Sequence, residues 1–254
     1  MRWLIIGGDS TIGNSLSHAW SLQGRNFHST TRNKFRVSKV RPYLDLGIDE
    51  TSIWSKDYDG AVLCIGESRV SYCEEHPRES SLINVEHTVE LANALTKAGT
   101  YVLFLSSSRV FNGQTRSNPV GKIPNPTTEY GRQKVEAEKQ ILDLEGSGIL
   151  RLTKVLDSGS EPIKSWRESL QAEQAIYPFS NVFVAPVSKE VVAEKVTQIL
   201  GKKTAGIQHL LSTNLVSFFD LAMTLCSQWN LDSSLIVPRV APDSPLYPRY
   251  SSLA

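Results

Sequence analysis

Short apolar runs that alternate with helix-patterned stretches constrain this chain more than any other feature. Trp3–Ile6, Asn26–Thr31, Ala61–Ile65, Tyr101–Leu105 and Gly148–Val155 read as strands. Between them, Ile12–Gln23 and roughly Leu82–Ala98 repeat apolar residues at helical period and meet Gly24 and Gly99. Apolar strands separated by helices pack as a parallel sheet covered on both faces. The expected fold class is therefore α/β, a doubly wound parallel (Rossmann) sheet. Val191–Leu200 then reads as an amphipathic helix ended by Gly201, Gln208–Leu211 as a short strand and Ser217–Trp229 as a helix. From about Leu156 the alternation weakens, Asp157–Ser180 is polar, and the tail from Val237 to Arg249 is rich in proline. The expected division is residues 1–155, with 182–201 returning to pack on them, and a small C-terminal lobe of 156–181 and 202–254.

The first strand runs into Gly7-Gly8-Asp9-Ser10-Thr11-Ile12-Gly13 before a helix. In such a sheet this turn cradles a dinucleotide's pyrophosphate on the helix N-terminus. Gly7 permits the tight turn and Gly13 close helix packing; Asp9, Ser10, Thr11 and Ile12 complete the candidate contacts. Ser10 replaces the usual middle glycine, narrowing the approach but offering a hydroxyl to a phosphate. The second strand ends in Thr30-Thr31-Arg32-Asn33-Lys34, without the acid that would hold the 2′-hydroxyl of NAD. Arg32, helped by Lys34, suits a 2′-phosphate instead, so NADP(H) is favoured over NAD(H). In Leu44-Asp45-Leu46 a carboxylate stands beside the adenine or simply makes a turn.

Glu129-Tyr130-Gly131-Arg132-Gln133-Lys134 follows a proline-rich loop, with a helix start near Thr127 or Thr128. Residues four apart share a helix face, so Tyr130 and Lys134 are neighbours. A nearby ammonium is expected to draw the phenol from about 10 towards neutrality, where it serves as a general acid or base. At the end of the Tyr101–Leu105 strand, Ser106-Ser107-Ser108 either caps the strand or offers a hydroxyl to a substrate oxygen. Arg109, Arg167, Arg239 and Arg249, with Trp166 and Lys164, are surface groups or contacts to a nucleotide diphosphate.

Composition excludes several classes. The formal net charge of +1 lacks the basic excess of a nucleic-acid or membrane-surface protein. No apolar run approaches the roughly 18 residues of a membrane span. Met1–Ile6 is too short for a signal peptide. Three scattered cysteines suit a reducing cytoplasm and give neither a disulfide framework nor metal-ligand spacing, so no metal is expected.

Taken together, the glycine turn Gly7–Gly13, Glu74–Pro77, Leu82-Ile83-Asn84-Val85, Ser106–Gly113, Tyr130–Lys134 and Val184-Ala185-Pro186-Val187 resemble the extended short-chain dehydrogenase/reductases. Within them the chain is similar to the dTDP-4-dehydrorhamnose reductase (sugar-nucleotide-binding) branch over nearly its whole length. The resemblance implies Ser107 and Tyr130 as catalytic hydroxyls, Lys134 on the nicotinamide ribose, and Ile65 and Gly66 lining the cofactor channel. It also implies NAD(P)-dependent reduction of a nucleotide-linked 4-keto sugar, with residues 1–155 binding cofactor and the C-terminal lobe binding substrate. Related alternatives are an epimerase or a non-catalytic NADP-binding regulatory subunit, and there is room for a homodimer. The branch has Thr-Asp-Tyr where this chain has Ser107-Ser108-Arg109, and a threonine at Val187, which points to a different substrate. The branch carries about one more helix after its Arg-Pro-like element, here Pro248-Arg249, so either the substrate lobe is small or the sequence is cut short.

Overall fold

Alternation along the strands sets the architecture of the computed structural model, which describes residues 1–47, 58–212 and 214–254. In chain order the first half comprises β1 (Arg2–Ile6), α1 (Thr11–Leu22), β2 (Asn26–Ser29), β3 (Gly60–Leu63), α2 (Val70–Glu75), α3 (Pro77–Ser81), α4 (Thr88–Lys97) and β4 (Tyr101–Ser107). There follow α5 (Glu129–Leu142), β5 (Ser147–Leu152), α6 (Ile163–Gln171), β6 (Phe183–Val184) and α7 (Lys189–Lys202). The chain closes with β7 (Gly206–His209), β8 (Val216–Ser217), α8 (Phe218–Trp229) and β9 (Tyr250–Ser251).

Six strands form one parallel sheet in the order β2-β1-β3-β4-β5-β7. Successive side chains point to opposite faces. Trp3, Ile5, Val62, Leu103 and Leu150 meet Leu16 and Trp20 of α1 and Val192, Val196 and Ile199 of α7. Leu4, Ile6, Leu63, Val102, Phe104 and Ile149 meet Leu91 and Leu95 of α4 and Ala137 and Ile141 of α5. Helices therefore cover both faces, as the apolar strands require. Rossmann architecture is the result.

Several boundaries differ from expectation. The helical run before β4 begins at Val70 rather than near Leu82, and Leu82–His87 is a widened π-helical turn. That turn buries Asn84, which accepts from the Glu67 N–H at 2.7 Å and donates to Gln133 Oε1 at 2.7 Å. α7 passes through Gly201 and stops at Lys203, which takes the left-handed cap conformation at φ 48°. β5 ends at Leu152, and Val155 makes only an isolated bridge to Val187. β7 lies earlier than Gln208–Leu211. Within the polar 157–180 stretch, α6 was not foreseen, although Ile163, Trp166 and Leu170 form its buried stripe. They pack on Ala222 and Cys226 of α8 and on Ile176 and Ile236, a small core apart from the sheet. A three-stranded sheet, β8-β6-β9, adjoins it.

One charge pair lies inside this apolar frame. Arg151 of β5 donates to Glu138 of α5 through Nε at 2.9 Å and Nη2 at 2.6 Å, and both side chains are almost wholly buried. Removing one member of such a pair strands the other charge, which costs about 3–5 kcal/mol. Arg151→Met should therefore lower unfolding free energy by about that amount in urea titration, and adding Glu138→Leu should recover most of it.

Candidate active site

The cleft begins at the turn after β1. Gly7 has φ +84°, and a Cβ there would lie 2.5 Å from the Cys64 carbonyl oxygen. A Cβ on Gly13 would strike the Gly7 oxygen and lie 2.9 Å from Gly8 Cα, so α1 can sit this close only with glycine at 13. Ser10 is the N-cap of α1: its Oγ donates to the Gly7 oxygen at 2.8 Å and accepts from Gly13 N–H at 3.1 Å. The hydroxyl is committed to the helix end, so the expected donation from Ser10 to a phosphate is not what this geometry offers. The first-turn N–H groups of Thr11 and Ile12 have no intrahelical acceptor, and both residues line the cleft. On the same cleft, the buried Ser106 Oγ has no hydrogen-bond partner among the described residues. Glycine turn, helix N-terminus and orphan hydroxyl together fit a dinucleotide.

Beyond the turn, a smaller cavity of about 260 Å³ is lined by Gly7, Asp9, Arg32, Asp45, Leu46, Ile65, Gly66 and Glu67 among others. The segment after Arg41 runs beside the end of β2, where Leu44 N–H donates to the Thr31 oxygen at 3.0 Å, and this brings Asp45 into place. Asp9 accepts from Thr31 Oγ1 at 2.6 Å, Arg32 N–H at 3.2 Å, Arg41 Nη2 at 2.6 Å and Arg36 Nη1 at 3.4 Å. Burial works to raise its pKa, but the bonds from Thr31, Arg41 and Arg32 outweigh it and hold the carboxyl below its usual range. Arg36 and Arg41 were missed in the sequence. The signal was there, because no acid occurs between Asp9 and Asp45 while five basic residues fall within Arg32–Arg41.

The central wall is built where β4 meets α5. Thr128 caps α5, accepting from Gly131 N–H at 3.2 Å. A Cβ on Gly131 would collide with the Arg109 oxygen and lie 2.8 Å from Pro126 Cβ, so the glycine lets the helix start lie against the turn after β4. Ser107, Tyr130 and Lys134 all line a cleft of about 870 Å³, a volume suited to a bound small molecule. Ser107 Oγ accepts from Arg109 N–H at 3.2 Å, which leaves its own proton free to be donated.

The expected acidic tyrosine is not found. Burial pushes the Tyr130 phenol up to about 12, with Ser107 and Arg109 drawing it down only in part. The Lys134 ammonium donates to the Leu105 oxygen at 3.2 Å, lies 4.4 Å from the Phe104 ring centre and 5.8 Å from the centre of the Tyr130 ring. Burial lowers this lysine to about 8, and Glu138 offsets only part of the effect. A helix face brings the two residues together, but desolvation rather than mutual attraction sets their proton affinities.

On the far side, Trp166, Tyr177, Phe179, Phe218 and Tyr247 line the cleft with Arg109 and Lys154. Arg109 donates to the Pro245 and Leu246 oxygens at 3.1 and 3.0 Å. The other arginines are not brought in. Arg249 is exposed beside the Tyr250 ring because Tyr250 takes the inward position of β9, so its expected substrate contact is not formed. Arg167 lies on the exposed face of α6 against Trp229, and Arg239 is exposed. Lys164 pairs outward with Glu168. Lys154 was overlooked; its signal is a cation just past the end of a central strand.

A family model described as the RmlD substrate binding domain matches residues 1–254. Methionine adenosyltransferase 2 subunit beta of Bos taurus is 26% identical, covering 96% of this chain and 76% of that protein. A dTDP-4-dehydrorhamnose reductase of Clostridium acetobutylicum has a TM-score of 0.86 at 21% identity, covering 100% of this chain and 90% of its own. The dTDP-4-dehydrorhamnose reductase of Bacillus anthracis in complex with NADP gives 0.86 at 16% identity, covering 99% and 88%. At these identities the structural likeness speaks for the fold. The family match spans the glycine turn, the Tyr130 wall and the far side of the cleft alike, and on it the chain belongs to the RmlD substrate-binding domain family.

Proposed function

We propose that the chain is an NAD(P)H-dependent reductase of a nucleotide-linked 4-keto sugar and prefers NADP(H). One observation carries this reading: Ser107, Tyr130 and Lys134 line the same cleft as the glycine turn. The reduced nicotinamide, when bound, supplies a hydride to the carbonyl carbon. Tyr130 holds the matching proton for the carbonyl oxygen, so ketone, hydride and proton balance to an alcohol. A phenol near 12 is protonated throughout the neutral range, which suits a donor. The Ser107 hydroxyl donates a hydrogen bond to the same oxygen, and the Lys134 ammonium holds ribose hydroxyls. Gly7, Thr11, Ile12 and Gly13 receive the pyrophosphate, and Ile65 and Gly66 border the ring. Residues 1–155, with α7 and β7, bind the cofactor in this reading, and 156–181, β6 and the segment after β7 form the substrate lobe; the expected bounds of 182–201 and 202–254 shift because β7 joins the main sheet and β6 the small one. The aromatic side chains of the far wall support that assignment.

A second reading is a non-catalytic NADP(H)-binding partner, favoured by the likeness to methionine adenosyltransferase 2 subunit beta. Substitution separates the two. Tyr130→Phe should lower kcat for 4-keto sugar reduction at least 100-fold while NADPH affinity stays within about threefold, because it removes a proton donor and little contact area. Unchanged turnover, or no turnover in the unsubstituted chain with any nucleotide-linked 4-keto sugar, sinks the catalytic reading.

For cofactor choice, Arg36→Gln with Arg41→Gln should weaken NADPH binding about tenfold or more and NADH binding much less, read by tryptophan fluorescence. An equal loss for both cofactors would show that these arginines do not meet a 2′-phosphate.

Lys134 makes stability depend on pH. Its folded pKa, about 8, lies below the ordinary 10.5, so burying the charged form is a cost fully present below pH 8. The cost disappears as pH rises from 8 to 10.5. Lys134→Met should therefore raise the unfolding free energy in urea titration most at pH 6–7, by on the order of 3 kcal/mol before the lost Leu105 bond is counted, and the gain should shrink towards pH 10. A gain that does not vary with pH would refute the lowered value.

A further inference from the structure

Two cations face the far wall of the cleft without an opposing charge. Arg109 follows β4 and Lys154 follows β5, each two residues beyond the paired positions Ser107 and Leu152 of adjacent parallel strands. The segments that carry them, a 3-10 turn after β4 and the stretch after β5, therefore leave adjacent strands at the sheet's C-terminal edge. Both line the cleft. Among the described residues neither makes an ion pair, and the Arg109 guanidinium is held by the Pro245 and Leu246 carbonyls, which are dipoles rather than charges. Among the described residues that line this cleft the one carboxylate is Asp9, bound to Arg36 and Arg41. Burial lowers the pKa of each cation, and the Arg109 charge lowers that of Lys154 further. Lys154 is an exposed residue of the cleft lining, within reach of a ligand that enters it. Like charges gathered in a part-desolvated wall are costly unless an anion joins them.

We propose that Arg109 and Lys154 are a receptor for an anionic oxygen group of the substrate close to the reacting carbon, namely a carboxylate on the sugar ring. The proposal rests on the nucleotide-sugar reading above and narrows it to acidic sugars. The closeness follows from Arg109, whose charge also acts on the Tyr130 phenol. The Arg109 backbone packs against Gly131, the residue after Tyr130, so a group bridging Arg109 and Lys154 lies on the same stretch of cleft wall as the oxygen that Tyr130 protonates. The other source of the same chemistry is the nucleotide's own diphosphate, and binding measurements separate the two.

The test titrates UDP- and dTDP-glucuronate, UDP- and dTDP-glucose, UDP and dTDP into the full chain with NADP⁺ present, by calorimetry. For the nucleotide that binds, the glucuronate form should bind at least tenfold tighter than the glucose form. Lys154→Met should reduce that preference below threefold and leave the affinity for the bare diphosphate unchanged. Arg109→Gln should act alike; because Arg109 also ties down the tail, its unfolding temperature is measured beside it. No preference for the glucuronate, or a preference that survives in Lys154→Met, overturns the proposal while the nucleotide-sugar reading stands. Equal weakening of the bare diphosphate and the glucuronate in Lys154→Met assigns the pair to the diphosphate and also overturns it. Binding of none of the six removes both readings together.

Discussion

The close contact between the start of α5 and the end of β4 is the constraint on which the site depends. Gly131 makes it available, since any side chain there would meet the Arg109 backbone and Pro126. Once the helix lies this close, Lys134 can only point into the sheet edge, where the Leu105 carbonyl and the Phe104 ring receive its ammonium. Tyr130, one turn earlier, is carried half-buried to the cleft wall. Backbone packing thus decides the protonation behaviour: both groups are pushed towards their neutral forms, the phenol upward and the amine downward. For a proton donor and a buried lysine these are opposite consequences of a single desolvation.

Charge is distributed around the cleft in a way that the net value of +1 hides. At the glycine turn, Asp9 pairs with Arg36 and Arg41, two of the five basic residues in a stretch that contains no acid of its own. Arg109 and Lys154 have no such partner among the described residues. The glycine turn also carries the unpaired N–H groups of a helix start.

Fold class was legible because it follows from apolar period and glycine punctuation, and both survive in the structure as two-faced strands and capped helices. Tyr130 and Lys134 were legible through their four-residue spacing, and Ser107, Ile65 and Gly66 through the family resemblance; all line the same cleft. What escaped depends on the third dimension. The acidity of Tyr130 was misjudged because four-residue spacing gives a shared helix face but not the depth at which it is buried. Arg249 was misassigned because strand alternation places Tyr250 inward and the arginine outward. Arg36, Arg41 and Lys154 were missed since their partners or neighbours lie far off in sequence, Asp9 across the first turn and Arg109 on the next strand. The helix α6 was missed because three buried residues in a polar stretch are a weak periodic signal.

The parts of the cleft differ in how firmly the fold determines them. Ser107 ends a central strand, Lys134 is buried under it, and the turn at Gly7–Gly13 is fixed by backbone contacts that exclude larger residues. Those elements belong to the sheet and can change little without breaking it. Arg109 and Lys154 stand just beyond the strand ends, where no core packing dictates their identity, and Arg109 also binds the Pro245 and Leu246 carbonyls of the tail. One side chain therefore touches three things at once: the Ser107 turn, the field around Tyr130 and the segment that closes the far wall. A change of residue there alters the charge on the cleft wall, the seating of the tail and the surroundings of Tyr130 together, without any change in the sheet beneath.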